Sequence, residues 1–139
     1  MVTGSPVEPR LDAEQRALAC AGVSHFNRGE YFECHDALED LWTGLRGPSR
    51  DFFQGLIQIA VAFQHLRNGN AAGAASLLAR AEARLSAYPE NYLRFDLAGW
   101  RAELLQRRAW LADGELAQAA QAPPPWRLFG PDQTVCGTA

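Results

Sequence analysis

Lysine is absent from this chain, and its thirteen basic residues are all arginine, set among sixteen acidic ones for a net charge of −3. Arginine and acid alternate along every segment, so there is no basic excess or stripe of the kind that nucleic-acid binding requires, and no nucleic-acid partner is expected. With the high alanine content, the missing lysine reads as genome composition rather than function. Long hydrophobic runs are also lacking. The longest, Phe52 to Phe63, is broken by Gln54 and Gln58 and falls well short of the ~20 residues of a membrane span, so no membrane association is expected. Residues 1–10 have no basic stretch followed by an apolar one and do not read as a secretory signal. Cysteine is scarce: Cys20, Cys34 and Cys136 make an odd set with no close pair, which points to a reduced cytoplasmic protein with two buried thiols and one in the tail. No stretch alternates with period two for long enough to argue a strand, which leaves an all-α class.

What is present is enough for one domain. The chain has 139 residues, 47% of them hydrophobic, sufficient to bury roughly two-thirds of the unfolded surface without staples. Residues 1–10 are expected to be a flexible arm, 11–121 a helical domain, and 122–139 an extended tail, since Pro123-Pro124-Pro125 cannot be helical. Within the domain, Asp12 and Gln15 form a capping box before a helix over 13–28, stopped by Gly29. A second helix is predicted over 31–45 with Cys34, Leu38, Leu41 and Leu45 as its core stripe. Ser49 caps a third, over 50–67, the most buried of the set. Asn68-Gly69-Asn70 is a turn signal, and a fourth helix follows over 71–87, ended by Pro89. Leu93, Leu97, Trp100, Leu104 and Leu111 mark a fifth, ending at Gly114, and a short sixth is placed over 115–121. An up-and-down array of five to six helices results. The segments around Gly29 and Gly69 share an apolar residue, a polar pair and a glycine, a weak repeat of helical hairpins resembling the tetratricopeptide period.

The polar residues that carry chemistry are concentrated between Tyr31 and Leu66. Tyr31, His35, Glu39 and Trp42 fall on one face of the second helix, and Gln54, Gln58 and His65 share a face of the third. If the two helices are antiparallel about Pro48, residues whose numbers sum to about 96 lie opposite one another. That pairs Trp42 with Gln54, Glu39 with Gln58 and Tyr31 with His65. The expectation is one connected polar cluster, buried or at the rim of the bundle, since polar groups on a buried helix need partners. His35, Glu39 and His65 are the candidate metal ligands, as a two-histidine, one-carboxylate set. His35 oriented by Glu39 is the candidate acid–base pair. A purely structural cluster is the third reading. Cys34 and His35, adjacent on a helix, point about 100° apart and do not form a nucleophile–base pair. His25 reads as a boundary residue. In the tail, Trp126 and Phe129 carry more apolar mass than a free tail exposes, pointing to docking on the domain or on a second copy.

The blocks Phe26-Asn27-Arg28-Gly29-Glu30-Tyr31-Phe32-Glu33-Cys34-His35-Asp36-Ala37-Leu38-Glu39-Asp40-Leu41-Trp42 and Arg50-Asp51-Phe52-Phe53-Gln54-Gly55-Leu56-Ile57-Gln58 resemble the small prokaryotic and plastid family catalogued as domain of unknown function 309. The likeness spans about residues 17–88. It implies an all-helical array, and the family pattern includes the positions of His35, Glu39, Trp42, Gln54, Gly55 and Gln58, with no activity attached to them. The preferred reading is a non-catalytic module that binds a protein or peptide and needs no cofactor. The alternative is a small-molecule or metal site, of hydrolase type, on His35, Glu39, Gln58 and His65.

Overall fold

Helix α1 (Ala13–Asn27) opens on the capping box read from the sequence. The Gln15 amide donates to Asp12 Oδ1 at 2.7 Å, and the Asp12 amide donates to Gln15 Oε1 at 2.9 Å. The computed structural model describes residues 10–102 and residue 105, so the N-terminal arm, the C-terminal part of the fifth helix, the sixth helix and the Trp126–Phe129 tail lie outside the described residues. After α1 the chain reverses at Gly29, whose φ of +78° is the left-handed conformation that glycine adopts without a Cβ clash. There the Glu30 amide donates to the His25 carbonyl at 2.8 Å and the Gly29 amide to the Phe26 carbonyl at 2.9 Å. The same bonds recur at Gly69, also at φ +78°: Asn70 to His65 at 2.8 Å and Gly69 to Leu66 at 3.0 Å. The two turns therefore share one backbone geometry.

Helix α2 (Tyr31–Thr43) stops two residues before its expected end, and its core stripe of Cys34, Leu38, Leu41 with Leu45 beyond it is buried. Helix α3 (Pro48–Arg67) starts two residues earlier than expected. Gly47 turns the chain with φ +74°, and Pro48 takes the first helical position, where its missing N–H is not needed. Ser49, expected as the cap, is instead buried inside the first turn and donates its hydroxyl to the Arg46 carbonyl. Helix α4 (Ala71–Leu85) is capped by Asn70, whose Oδ1 accepts from the Gly73 amide at 2.9 Å. The elements pack in chain order, α1 on α2, α2 on α3 and α3 on α4.

Two of these contacts depend on a missing Cβ. A Cβ at Gly22 on α1 would meet Leu38 Cδ2 of α2 at 2.6 Å, and one at Gly55 on α3 would meet Leu85 of α4 at 2.9 Å. Each glycine lets a leucine seat against helix backbone, drawing the neighbouring axes together.

The segment after α4 departs from the expected loop and helix. Strands β1 (Asn91–Tyr92) and β2 (Phe95–Asp96) form an antiparallel hairpin closed by Leu93 and Arg94, both at positive φ, and residues 97–102 are helical. This small pair corrects the expectation of no strand. Its cause is tertiary: Tyr92 and Phe95 pack with Phe52 at ring-centroid distances of 4.8 and 5.4 Å, extending the core over the start of α3. Tyr88 joins the cluster and donates its hydroxyl to the Pro48 carbonyl at 2.6 Å. Arg101 donates to the carbonyls of Leu85 and Tyr88, satisfying the end of α4. Among the described residues no helix is long and apolar enough to cross a membrane. Cys34 is buried and free, whereas Cys20 is disulfide-bonded, so the expectation of reduced thiols fails at Cys20.

Candidate functional site

Helix α3 is buried on most of its circumference but keeps one incompletely covered strip. Gln54, Gln58, Val61 and His65 follow one another at helical spacings of four, three and four, and all are half-buried, as are Ile57 and Gln64 beside them. Contacts on either side show which helix flanks the strip. On one side Arg50 lays its guanidinium over the Trp42 ring of α2, 4.0 Å from the centroid. On the other, Arg84 of α4 donates to Gln58 Oε1 at 3.4 Å and pairs with Asp51. The strip is thus the floor of a shallow trough with α2 and α4 as its walls.

The one connected polar cluster expected inside the bundle or at its rim does not form as such, and its members take separate partners. His35 and Glu39 pair at 3.5 Å between Nε2 and Oε2, but their side chains are 27% and 53% exposed, so the pair sits at the surface rather than in the core. Gln58, expected opposite Glu39, is turned to Arg84 instead. The cause is a neighbour that a two-helix argument omits: an arginine held by Asp51 competes for the glutamine carbonyl from the α4 side. Tyr31 and His65 are not partners either. Tyr31 is buried between Phe26 and Phe63, with Arg67 4.6 Å above its ring. His65 Nδ1 is 3.3 Å from Asn70 Nδ2, across the cap of α4.

This division bears on metal chemistry. With His65 turned to Asn70, the two-histidine, one-carboxylate set of His35, Glu39 and His65 does not converge. Among the described residues no group of three or more His, Cys, Asp or Glu side chains is placed to hold one ion.

Two polar groups at the α2 edge of the trough lack partners. The Trp42 indole N–H is buried with no hydrogen bond. The half-buried Gln54 amide, which the register places opposite it, has no hydrogen-bond partner among the described residues. The buried Trp42 N–H carries the cost of an unmade hydrogen bond, whereas the Gln54 amide keeps access to solvent. Arg50, next to both, has no carboxylate partner among the described residues and lies flat on the indole.

Perturbed groups lie elsewhere. Burial pushes the Cys34 thiol up to about 12, which makes it inert rather than nucleophilic. Burial also raises Tyr31 and Tyr88. Glu30 is lowered, first by its hydrogen bond with His25 and then by Arg28, in the turn between α1 and α2. Sequence reasoning missed Arg50, Arg84 and Asp51 as parts of the trough. The available signal was their spacing, since Arg50 and Gln54, and Asp51 and Gln58, lie one and two helical turns apart.

Residues 20–77 match the family model described as Domain of unknown function (DUF309), a match over less than half of the chain. It spans the two turns, all of α2 and α3, and the trough floor. An uncharacterized protein of Bacillus subtilis (strain 168), YpuF, is 45% identical over 51 residues, covering 36% of this chain and 29% of the relative. An uncharacterized protein of Aquifex aeolicus (strain VF5) is 26% identical over 80 residues, covering 57% of this chain and 24% of the relative. The matched segment is therefore less than a third of either relative's length.

Proposed function

We propose that this helical domain is a non-catalytic module that binds a protein or peptide segment, and that the trough between α2 and α4 is its binding surface. The observation that carries the reading is the α3 strip. A central helix buried on most of its circumference keeps a line of amide and aliphatic groups, Gln54, Ile57, Gln58 and Val61, part covered and part open. Such a mixture of apolar contact and orienting hydrogen-bond groups suits a ligand that brings both. The competing reading, acid–base or metal chemistry on His35 and Glu39, has a solvated pair and no converging third ligand in its support.

The test is selection of a displayed random dodecapeptide library on the full chain, followed by amide chemical-shift mapping with a selected synthetic peptide. The expected shifts centre on residues 54–61 and the facing sides of α2 and α4. Ile57→Asp places a charge in the middle of the floor and is expected to abolish binding, while Glu39→Gln leaves it intact. A library that yields no binder, or binders whose shifts map to another face, overturns the reading. Loss of binding in Glu39→Gln transfers the weight to the His35–Glu39 pair.

A further inference from the structure

We infer that Cys20 of α1 is joined to Cys136 of the C-terminal segment, and that this bond is a redox-cleaved clamp holding residues 122–139 on the outer face of α1. The inference stands apart from the trough. It rests on the state of the cysteines, on the face of α1 that carries one of them, and on reach.

The sequence holds three cysteines. Cys20 is disulfide-bonded and Cys34 is free, which within the chain leaves Cys136, beyond the described residues, as the partner. Cys34 competes for neither sulfur. It is fully buried in the core stripe of α2, and burial pushes its thiol up to about 12, so it has almost no thiolate with which to exchange at neutral pH. Cys20 is half-buried and within reach of a small thiol.

The face around Cys20 is suited to receive a chain. Ala13, Ala17, Cys20 and Ser24 follow at spacings of four, three and four and so share one face of α1. That face is turned away from the stripe of Ala19, Gly22, Val23 and Phe26, which packs toward α2. Ala13 and Ala17 are exposed. All four side chains are small, so a segment is able to approach the helix closely, and Arg28 beside them is folded onto Ser24 Oγ at 2.6 Å. Small residues alone select no occupant. The disulfide does, because it is a covalent bond from this face to another segment.

Reach is no obstacle. Arg101, bonded to the carbonyls of Leu85 and Tyr88, ties the last described residues to α4. The elements pack in chain order, so α4 is at most three interaxial spacings from α1, roughly 30 Å. The stretch from 103 to 136 spans on the order of 100 Å when extended. It also carries Trp126 and Phe129, whose burial against α1 would add to the bond.

The chemistry balances as a thiol–disulfide exchange. Closing the clamp joins the two sulfurs and breaks two S–H bonds; the two electrons and two protons pass to a small-molecule disulfide, which leaves as two thiols. An excess of small thiol runs the exchange backward. The surrounding thiol pool thereby sets whether the segment is held or released.

The test oxidises the full chain with glutathione disulfide, traps free thiols by alkylation at low pH in denaturant, and digests it with trypsin without reduction. Cleavage after Arg16, Arg28 and Arg127 is expected to give peptide 17–28 linked to peptide 128–139, and the two separate peptides after dithiothreitol. Limited proteolysis of the native chain reads the docking. Cleavage after Arg127 is expected to be about ten-fold slower in the oxidised chain than in the reduced one, with Cys136→Ser cut at the fast rate under both conditions. Peptide 17–28 recovered alkylated, capped by glutathione, linked to a second copy of itself or linked to the Cys34 peptide overturns the pairing. The expected linked pair with equal cleavage rates overturns the holding of the segment on α1.

Discussion

Replacing Gly55 by Ala tests whether the wall-to-floor distance of the trough is set by a missing methyl group. The new Cβ would stand 2.9 Å from both Cγ and Cδ2 of Leu85, which is fully buried on α4. Two effects oppose each other. Alanine in a helix interior is favoured over glycine by about 1 kcal/mol. Overpacking a closed core costs roughly 1–3 kcal/mol. Because the clash is with the branch point of a fully buried leucine and not with a flexible tip, we take the second to win, for a net loss of about 1 kcal/mol. A double-mutant cycle separates the terms. Leu85→Ala alone removes a buried leucine and costs ~2–5 kcal/mol, but in the Gly55→Ala background the added methyl occupies part of the vacated space and its clash is gone. The pair is expected to be less destabilising than the sum by about 1–2 kcal/mol. Urea denaturation followed by far-ultraviolet circular dichroism measures all four proteins, with unchanged m-values confirming that only stability has moved. A Gly55→Ala protein that gains the full propensity increment, or a cycle that closes additively, would refute the close-approach argument.

Cys34 is expected to resist thiol reagents at pH 8 in the folded protein and to react at the normal rate in denaturant, because burial holds its pKa at about 12; prompt labelling of the native chain would contradict this. The corresponding linkage has a definite sign. A thiol whose folded pKa lies above its unfolded value near 9 stabilises the fold fully below pH 9 and loses that contribution as pH rises toward 12. Stability is therefore expected to fall across that window, and a Cys34→Ala variant to fall less steeply. Arg67→Ala removes the bond from Nη1 to the Gly29 carbonyl, 2.7 Å, and the stack on Tyr31. Roughly 1 kcal/mol is expected to be lost, with faster amide exchange at the turn before α2; unchanged exchange there would show that the contact is incidental. Arg94→Gly relieves an exposed residue held at φ +68° and is expected to raise the unfolding midpoint by the equivalent of about 1 kcal/mol, since this turn shape favours glycine. A fall in the midpoint would mean that the arginine side chain itself matters.

Much of the helical array was legible because its signals are local. The Asp12–Gln15 box, the stripe of Cys34, Leu38 and Leu41, and the glycines at 29 and 69 each act within a few residues, and each is where it was expected. Features that depend on a third element were not legible. Leu93-Arg94 carries none of the usual hairpin residues, and the hairpin exists because Tyr92 and Phe95 bury against Phe52 from α3. Gln58 faced a choice of partner, and a register drawn between two helices contained Glu39 but not Arg84. The third neighbour decided the pairing. Glu39 stayed solvated because its half-exposed partner His35 answers it at the surface, which costs less than taking a carboxylate into the core.

The choice of glutamine, and not a charged or apolar residue, on the trough floor has a thermodynamic consequence that Gln54→Leu would expose. A half-buried amide that still reaches solvent gives up part of its hydration in the free protein, at far less cost than a half-buried charge. Leucine is close in size and removes that cost while adding apolar contact. Fully burying a leucine contributes ~1.5–3 kcal/mol, so a half-buried one is expected to stabilise the free domain by about 1 kcal/mol. The same change removes a hydrogen-bonding group from the proposed binding surface. The expected outcome is a higher urea midpoint together with weaker peptide binding, the signature of a site that gives up stability to stay receptive. The two readouts discriminate sharply: a purely structural glutamine predicts that Gln54→Leu lowers the midpoint or leaves it unchanged, and a higher midpoint with undiminished peptide affinity would place the binding groups elsewhere.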